Sequence, residues 1–130
     1  MKKSKKLTLL ILPEKLGICH LSQKSVIPLW AEEGISFSSI ARTEKELSII
    51  CSQEKIPGGV LFEKDWRAFR VEGLLGFTST GIVSSLSVPL AKAKISIMYI
   101  STYETDYILV ENKNLEKAVK ILSNFCSIKK

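Results

Sequence analysis

This chain has little of what most catalytic sites are made from. Its 130 residues include one histidine, His20, and three cysteines, Cys19, Cys51 and Cys126, without a CxxC pair or a cysteine–histidine cluster. A single imidazole leaves general acid–base chemistry few candidates. Cys19 and His20 are adjacent, so a strand carrying them points their side chains to opposite faces and they cannot work as a dyad. The cysteine spacing makes no zinc site, and an odd, scattered set reads as buried small hydrophobes in a reducing compartment. Nucleophile-elbow, HExxH, P-loop and GxGxxG patterns are missing, and Ser84-Ser85 has no neighbouring base. The expectation is a non-catalytic protein with no cofactor and no metal.

Long apolar runs are missing too. Leu7–Leu12 is six residues long and ends at Pro13-Glu14-Lys15. A membrane span takes roughly 20 apolar residues, and no small-residue cleavage site follows, so neither a span nor a signal peptide is expected. The cytoplasm is the expected location. The net charge is +6, but Lys2, Lys3, Lys5, Lys6, Lys129 and Lys130 supply all of it, and the body between them is balanced. A nucleic-acid surface needs a basic face interleaved with aromatics, and none is visible, so neither nucleic acid nor membrane is an expected partner. A 45% hydrophobic, 25% charged composition is that of a globular protein.

What is present is a succession of short apolar segments. Lys6–Leu12 and Leu16–Leu21 read as strands, and Val26–Glu33 as a short helix capped by Ser25 and closed at Gly34. Ile35–Ala41 and Glu46–Ser52 read as strands around the turn Arg42-Thr43-Glu44-Lys45. Ile56-Pro57-Gly58-Gly59 is the strongest break and the expected linker. Beyond it come a strand at Trp66–Glu72, a loop at Gly73–Thr80 and a helix at Gly81–Lys92, with Pro89 as an expected irregularity. Strands at Ile95–Ser101 and Tyr107–Val110 follow, then an amphipathic helix at Asn114–Phe125 with Asn114 as its cap.

An offset of 60 residues superimposes the halves: Ile35-Ser36 on Ile95-Ser96, Glu46 on Asp106, and Leu47–Ile50 on Tyr107–Val110. Each half holds strand, helix, strand, strand, which is the start of the ferredoxin-like βαββαβ plan. The expected fold class is therefore α+β: two such modules in tandem, with antiparallel sheets and helices on one face. Residues 1–60 form an N-terminal module lacking a second helix, and residues 61–130 form the C-terminal one. The gaps in the two halves are complementary, so an element exchanged between them fits the pattern.

Thr78–Val110 is the densest mixture of small, polar and apolar residues, and any small-molecule site is expected there. A helix start at Gly81 offers backbone N–H groups and positive dipole charge to a carboxylate, and glycine permits close approach. Asp106 can accept charge-assisted hydrogen bonds from an ammonium or a guanidinium. The two poles together suit a zwitterion. Read from the residues alone, Thr80-Gly81 is equally a helix cap with a tight turn. Asp106 and Glu104 are equally solvated turn acids, with Asp106 bonding local amides.

The segments Ser101–Val110 (STYETDYILV) and Gly81–Ser96 (GIVSSLSVPLAKAKIS) resemble the ACT-domain superfamily. They are most similar to its tandem-ACT branch, which includes the CASTOR-type arginine sensors. The resemblance implies a regulatory protein that binds a free amino acid at an interface between ACT modules. It places the ligand near Thr80, Gly81 and Ile82, along Ser96 and Ile97, and at the turn residues Thr102 and Asp106. Similar arginine sensors use four modules, so a two-module chain is implied to act as a homodimer toward a regulated partner, with Tyr103 a candidate contact. The N-terminal half carries Arg42, Glu44 and Glu46 at the related turn and reads as scaffold. The competing reading is a ligand-free assembly module that uses its sheet edges.

Overall fold

The computed structural model describes residues 7–34, 36–73 and 79–130, with the side chains of Ser79 and Thr80 outside that set. Ile35 and most of the expected loop, residues 74–78, also lie outside the described residues. The chain is a mixed α+β protein whose residues fall into two compact units, Pro13–Trp66 and Met1–Leu12 with Arg67–Lys130. The strand β1 (Leu7–Ile11) therefore belongs with the second unit, whereas a division at residue 60 places it in the first.

In the unit Met1–Leu12 with Arg67–Lys130, β1 pairs antiparallel with the second half of β5 (Leu61–Gly73) and parallel with β8 (Cys126–Lys129). This sheet is thus mixed rather than purely antiparallel. On its other side β5 pairs with β7 (Asp106–Glu111), which pairs antiparallel with β6 (Ile97–Ser101). Two helices, α1 (Ser79–Lys92) and α2 (Leu115–Leu122), cover one face. Their Ile82, Leu86, Leu90, Ala118 and Leu122 share a core with Leu7, Leu9, Phe69, Val71, Ile108 and Val110. Full burial of each large aliphatic side chain contributes about 1.5–3 kcal/mol, which is what holds the helices to the strands.

The helix α1 begins two residues before the expected Gly81 and keeps Pro89 in its last turns. Its end is a Schellman cap: Ile95 N–H donates to the Leu90 carbonyl at 3.0 Å and Lys94 N–H to Ala91 at 2.9 Å, with Lys94 at φ 61°. Glycine usually fills that left-handed position; here buried Ile95 anchors the turn from the next residue. A 3-10 turn at Asn112–Asn114 precedes α2, and Asn114 makes no side-chain cap, contrary to the sequence expectation.

The unit Pro13–Trp66 contains β2 (Leu16–Leu21), β3 (Ser39–Arg42), β4 (Leu47–Ser52) and the first half of β5. Its strand order is β3-β4-β2-β5, with every neighbouring pair antiparallel. The expected helix at Val26–Glu33 is not formed; a 3-10 turn at Leu29–Glu32 takes its place. Pro28 explains this, because its ring biases Ile27 to extended backbone and removes a donor from the first turn. Val26 and Leu29 are left 87% and 84% exposed. The strand expected at Trp66 starts at Leu61 and carries a bulge, where Asp65 adopts φ 63° and is clasped by both amide atoms of Gln53. Gly59, at φ 89°, makes the turn that leads into it.

Both units contain the same hairpin. In β3–β4, Arg42 faces Leu47 across a turn closed by Thr43 N–H to the Glu46 carbonyl at 2.9 Å. In β6–β7, Ser101 faces Asp106 across a turn closed by Thr102 N–H to the Thr105 carbonyl at 2.8 Å. The structural offset is therefore 59 residues, not the 60 read from the sequence. A slip of one residue exchanges the faces of a strand. The corrected match puts Leu47, not Glu46, at the position of Asp106, and aligns the fully buried Ile49 with Ile108.

Candidate functional site

The face and end of the sheet on which Asp106 lies follow from the β6–β7 register. Asp106 is the first residue of β7, and Ile108 and Val110, on the same face by alternation, lie in the helix-covered core. Tyr99 stands opposite Ile108, packs against that core, and donates its phenol to Asp106 Oδ2 at 2.7 Å. Next to Asp106, the Thr105 hydroxyl donates to the Val71 carbonyl at 2.6 Å, which ties this end of β7 to the end of β5.

The start of α1 lies at the same end. The helix is fourteen residues long, about 21 Å, and its last residue leads within five positions to Ile97 at the start of β6. Ile97 pairs with Val110 at the far end of the hairpin, so α1 runs back along the sheet and its first turn returns to the end where Asp106 sits. Ile82 of that first turn is 5% exposed in the shared core. The positive end of the helix dipole and the Asp106 carboxylate therefore share one face and one end of the sheet.

Two other groups of expected residues lie elsewhere or are otherwise engaged. Ser96 and Ile97 are at the opposite end of β6 from Ser101, about 13 Å away along a strand. Ser96 is exposed, and β6 pairs with β7 alone among the described strands, so it is an edge. Thr102 works within its turn: its hydroxyl donates to the Thr105 carbonyl at 3.0 Å and accepts from Thr105 N–H at 3.2 Å. The side chain of Thr80 is outside the described residues. Tyr103 is fully exposed on the turn.

The sequence pattern by itself does not single out Tyr99. Its signal is present only in hindsight: a tyrosine on a strand, two positions before the serine that faces Asp106, is diagonal to that acid in an antiparallel pair. Burial, with Asp106 adding to it, pushes the phenol pKa further above its ordinary value, so Tyr99 remains a hydrogen-bond donor.

The remaining chemistry-bearing side chains are placed apart. Cys19, Cys51 and Cys126 are buried free thiols. Desolvation pushes Cys51 up to about 12, with Cys19 adding to it, and Cys126 up to about 11, so both stay protonated near neutrality. His20 is exposed, with Nε2 4.0 Å from Glu46 Oε1. Among the described residues no cluster of His, Cys, Asp and Glu has the makings of a metal site. No helix among them is long and apolar enough to cross a membrane. The unit Pro13–Trp66 has a cavity of about 410 Å³ lined by Ile18, His20, Glu46, Ser48, Leu61 and Glu63, and one of about 710 Å³ lined by Pro13, Glu14, Lys15, Ser52, Gln53 and Glu54. None of the expected ligand residues lines either.

A family model described as an ACT domain matches residues 61–124, from the start of β5 to the end of the segment carrying α2. A second model, of an N-terminal domain, matches residues 14–59. An Agobacterium tumefaciens protein of known crystal structure is 39% identical with a TM-score of 0.88, over 96% of this chain and 93% of that one. The chain belongs to the ACT-domain family. Human cytosolic arginine sensor for mTORC1 subunit 1 is 34% identical over 96 residues, 68% of this ACT-domain chain and 29% of that protein. The chain thus spans less than a third of the length of that curated relative. Clostridium acetobutylicum aspartate kinase, an allosteric enzyme, has the same fold over 93% of this chain and 35% of its own, at 16% identity and a TM-score of 0.70.

Proposed function

We propose that this ACT-domain chain is a non-catalytic regulatory protein of the cytoplasm that binds a free amino acid. In this reading Pro13–Trp66 and Met1–Leu12 with Arg67–Lys130 are two ferredoxin-like modules in tandem, and the site belongs to the second. The observation that carries the proposal is the Asp106 carboxylate on the helix-covered face, at the end where α1 begins. Tyr99 engages Oδ2, and Oδ1 has no partner among the described residues. A half-buried acceptor near the positive end of a helix is matched to a molecule carrying an ammonium and a carboxylate. The main chain at Thr80, Gly81 and Ile82 takes the carboxylate, and Asp106 takes the ammonium. Thr102 shapes the turn that presents Asp106.

Ser96 and Ile97 enter from a second copy. They lie on an open strand edge about 13 Å from Ser101, so one chain does not bring them to its own Asp106. A homodimer aligned through β6 completes the site, and a ligand bound there favours one arrangement of subunits over another. That differential affinity is what alters the surface offered to a regulated partner, with Tyr103 exposed on it. The arginine named in the human relative is evidence for the class of ligand and not for its identity.

The test is thermal denaturation of the whole chain with each of the common amino acids at millimolar concentration, together with Asp106→Asn. One or a few amino acids are expected to raise the melting temperature, and Asp106→Asn is expected to lose at least tenfold in affinity, since a hydrogen bond to a charged group contributes about 1.5–3 kcal/mol. No stabilisation by any amino acid, with the oligomer intact, would sink this reading and favour assembly through sheet edges.

A further inference from the structure

The turn that presents Asp106 is fastened in two places, and making a turn requires only one of them. Within the turn, Thr102 N–H donates to the Thr105 carbonyl at 2.8 Å, and the Thr102 hydroxyl donates to the same carbonyl and accepts from Thr105 N–H. The second fastening leaves the turn. The half-buried hydroxyl of Thr105 donates to the Val71 carbonyl at 2.6 Å, 34 residues back along the chain.

The β3–β4 hairpin shows the same turn without that tether. At the offset of 59 residues Thr43 stands for Thr102 and Glu46 for Thr105. Thr43 N–H donates to the Glu46 carbonyl at 2.9 Å and its hydroxyl accepts from Glu46 N–H at 3.2 Å, so the turn closes by itself. The Glu46 side chain lies toward His20, and an ionised carboxylate has no proton to give a carbonyl. Leu47 follows it, in the place of Asp106. Tether and acid therefore occur together in one hairpin and are missing together from the other. The tether matters to the acid because β6, among the described strands, pairs with β7 alone, so the hairpin joins the sheet through β7. Thr105 holds the tip of that hairpin to the end of β5, one peptide bond from Asp106. An acid fixed before the ligand arrives is not ordered at the expense of binding.

We infer that Thr105 is a positioning residue for the ligand: its hydroxyl fastens the tip of the β6–β7 hairpin to β5 and so holds the Asp106 carboxylate in its binding position. This rests on the amino-acid reading above and deepens it, because Thr105 acts through Asp106 and needs no contact with the ligand itself.

The experiment is calorimetric titration of the whole chain with whichever common amino acid most raises its melting temperature. Thr105→Val keeps the shape and β-branching and removes the donor. It is expected to weaken binding about fivefold to tenfold, the value of one hydrogen bond. Thr105→Ser keeps the donor and is expected to bind within about twofold of wild type, since the same bond is made. Thr105→Ala provides a second variant without the hydroxyl, with circular dichroism as the folding control. Arg42→Ala, which removes two hydrogen bonds in the other unit, controls for a loss of stability alone. Its melting temperature is expected to fall while its affinity stays that of wild type.

Unchanged affinity in folded Thr105→Val and Thr105→Ala overturns the inference. So does a loss that Thr105→Ser shares, or one that Arg42→Ala reproduces. Any of these leaves the amino-acid reading standing if wild type binds and Asp106→Asn does not. If no common amino acid binds wild type, the reading beneath the inference fails, and the inference fails with it.

Discussion

The two hairpin ends, β6–β7 in one unit and β3–β4 in the other, share a frame and differ in what they leave open. Each turn is stitched by a threonine that bonds the carbonyl three residues on. Each second strand carries a fully buried isoleucine at the same step, Ile108 or Ile49. At the step before it, one strand has Asp106 and the other Leu47, which is 0% exposed in a core with Cys19, Ala31, Ile49 and Cys51. Across from these stand Ser101 and Arg42. The Arg42 guanidinium turns onto its own unit and donates to the carbonyls of Gln23 and Ser25, the latter at 2.8 Å. The segment before the related helix is thereby satisfied from within, and the helix is reduced to a single 3-10 turn. One copy of the frame keeps an acceptor oxygen unengaged among the described residues; the other has replaced it with apolar core and bonded its own loop.

This contrast can be attacked directly. The largest effect is expected from transplanting the acid. Leu47→Asp places an unpaired carboxylate in the apolar core of Pro13–Trp66 and is expected to cost about 3–5 kcal/mol in urea unfolding, with no ligand response gained. A stable Leu47→Asp protein with a second amino-acid site would erase the distinction between the two hairpins.

A smaller effect separates the cores by pH. The thiol of Cys51 has its pKa raised from 9.0 to about 12 in the folded chain, chiefly by burial. A folded pKa above the unfolded one gives stability that is complete below about pH 9 and is lost as pH rises toward the folded value. The loss is expected to be on the order of 2 kcal/mol by about pH 11. Cys51→Ala should flatten the fall in urea midpoint above pH 9 more than Cys126→Ala does, because Cys126 is raised only to about 11. Equal flattening would show that the two thiols are equally desolvated.

The smallest effect is local. Arg42→Ala removes two exposed hydrogen bonds and is expected to cost about 1 kcal/mol. Amide exchange across Gln23–Ser25 should speed up, and cleavage after Lys24 by a lysine-specific protease should follow. Unchanged exchange there would mean that the turn from Ser25 N–H to the Ser22 carbonyl holds the segment alone.

Much of the architecture was legible because burial writes a period into the chain. Leu115, Val119 and Leu122 announced α2, and the paired apolar runs around Thr43 and Thr102 announced the two hairpins. The failures have specific causes. Val26–Glu33 has an apolar helical pattern, but Pro28 acts through the backbone and outweighs it. The start of β5 was placed late because Asp65 and Lys64 interrupt the alternation, and only the clasp of Gln53 on Asp65 shows that the interruption is a bulge. Asp106 was legible as an acid at a turn and Gly81 as a helix start. Tyr99 was not, because its hydrogen bond crosses between two strands, and the register that brings the two residues together is a property of the folded hairpin.

Local chemistry alone settled most of the helices, strands and turns, that two hairpins echo each other, and that an acid follows the second turn. Hydrophobic period and turn residues act over a few positions, and a chain carries that information wherever it is read. Assignment of β1 to the later unit, closure of Arg42 onto its own loop and occupation of one Asp106 oxygen by Tyr99 needed the folded chain. Each depends on contacts between residues far apart in sequence or on an exact cross-strand register, and those are set by how the cores pack.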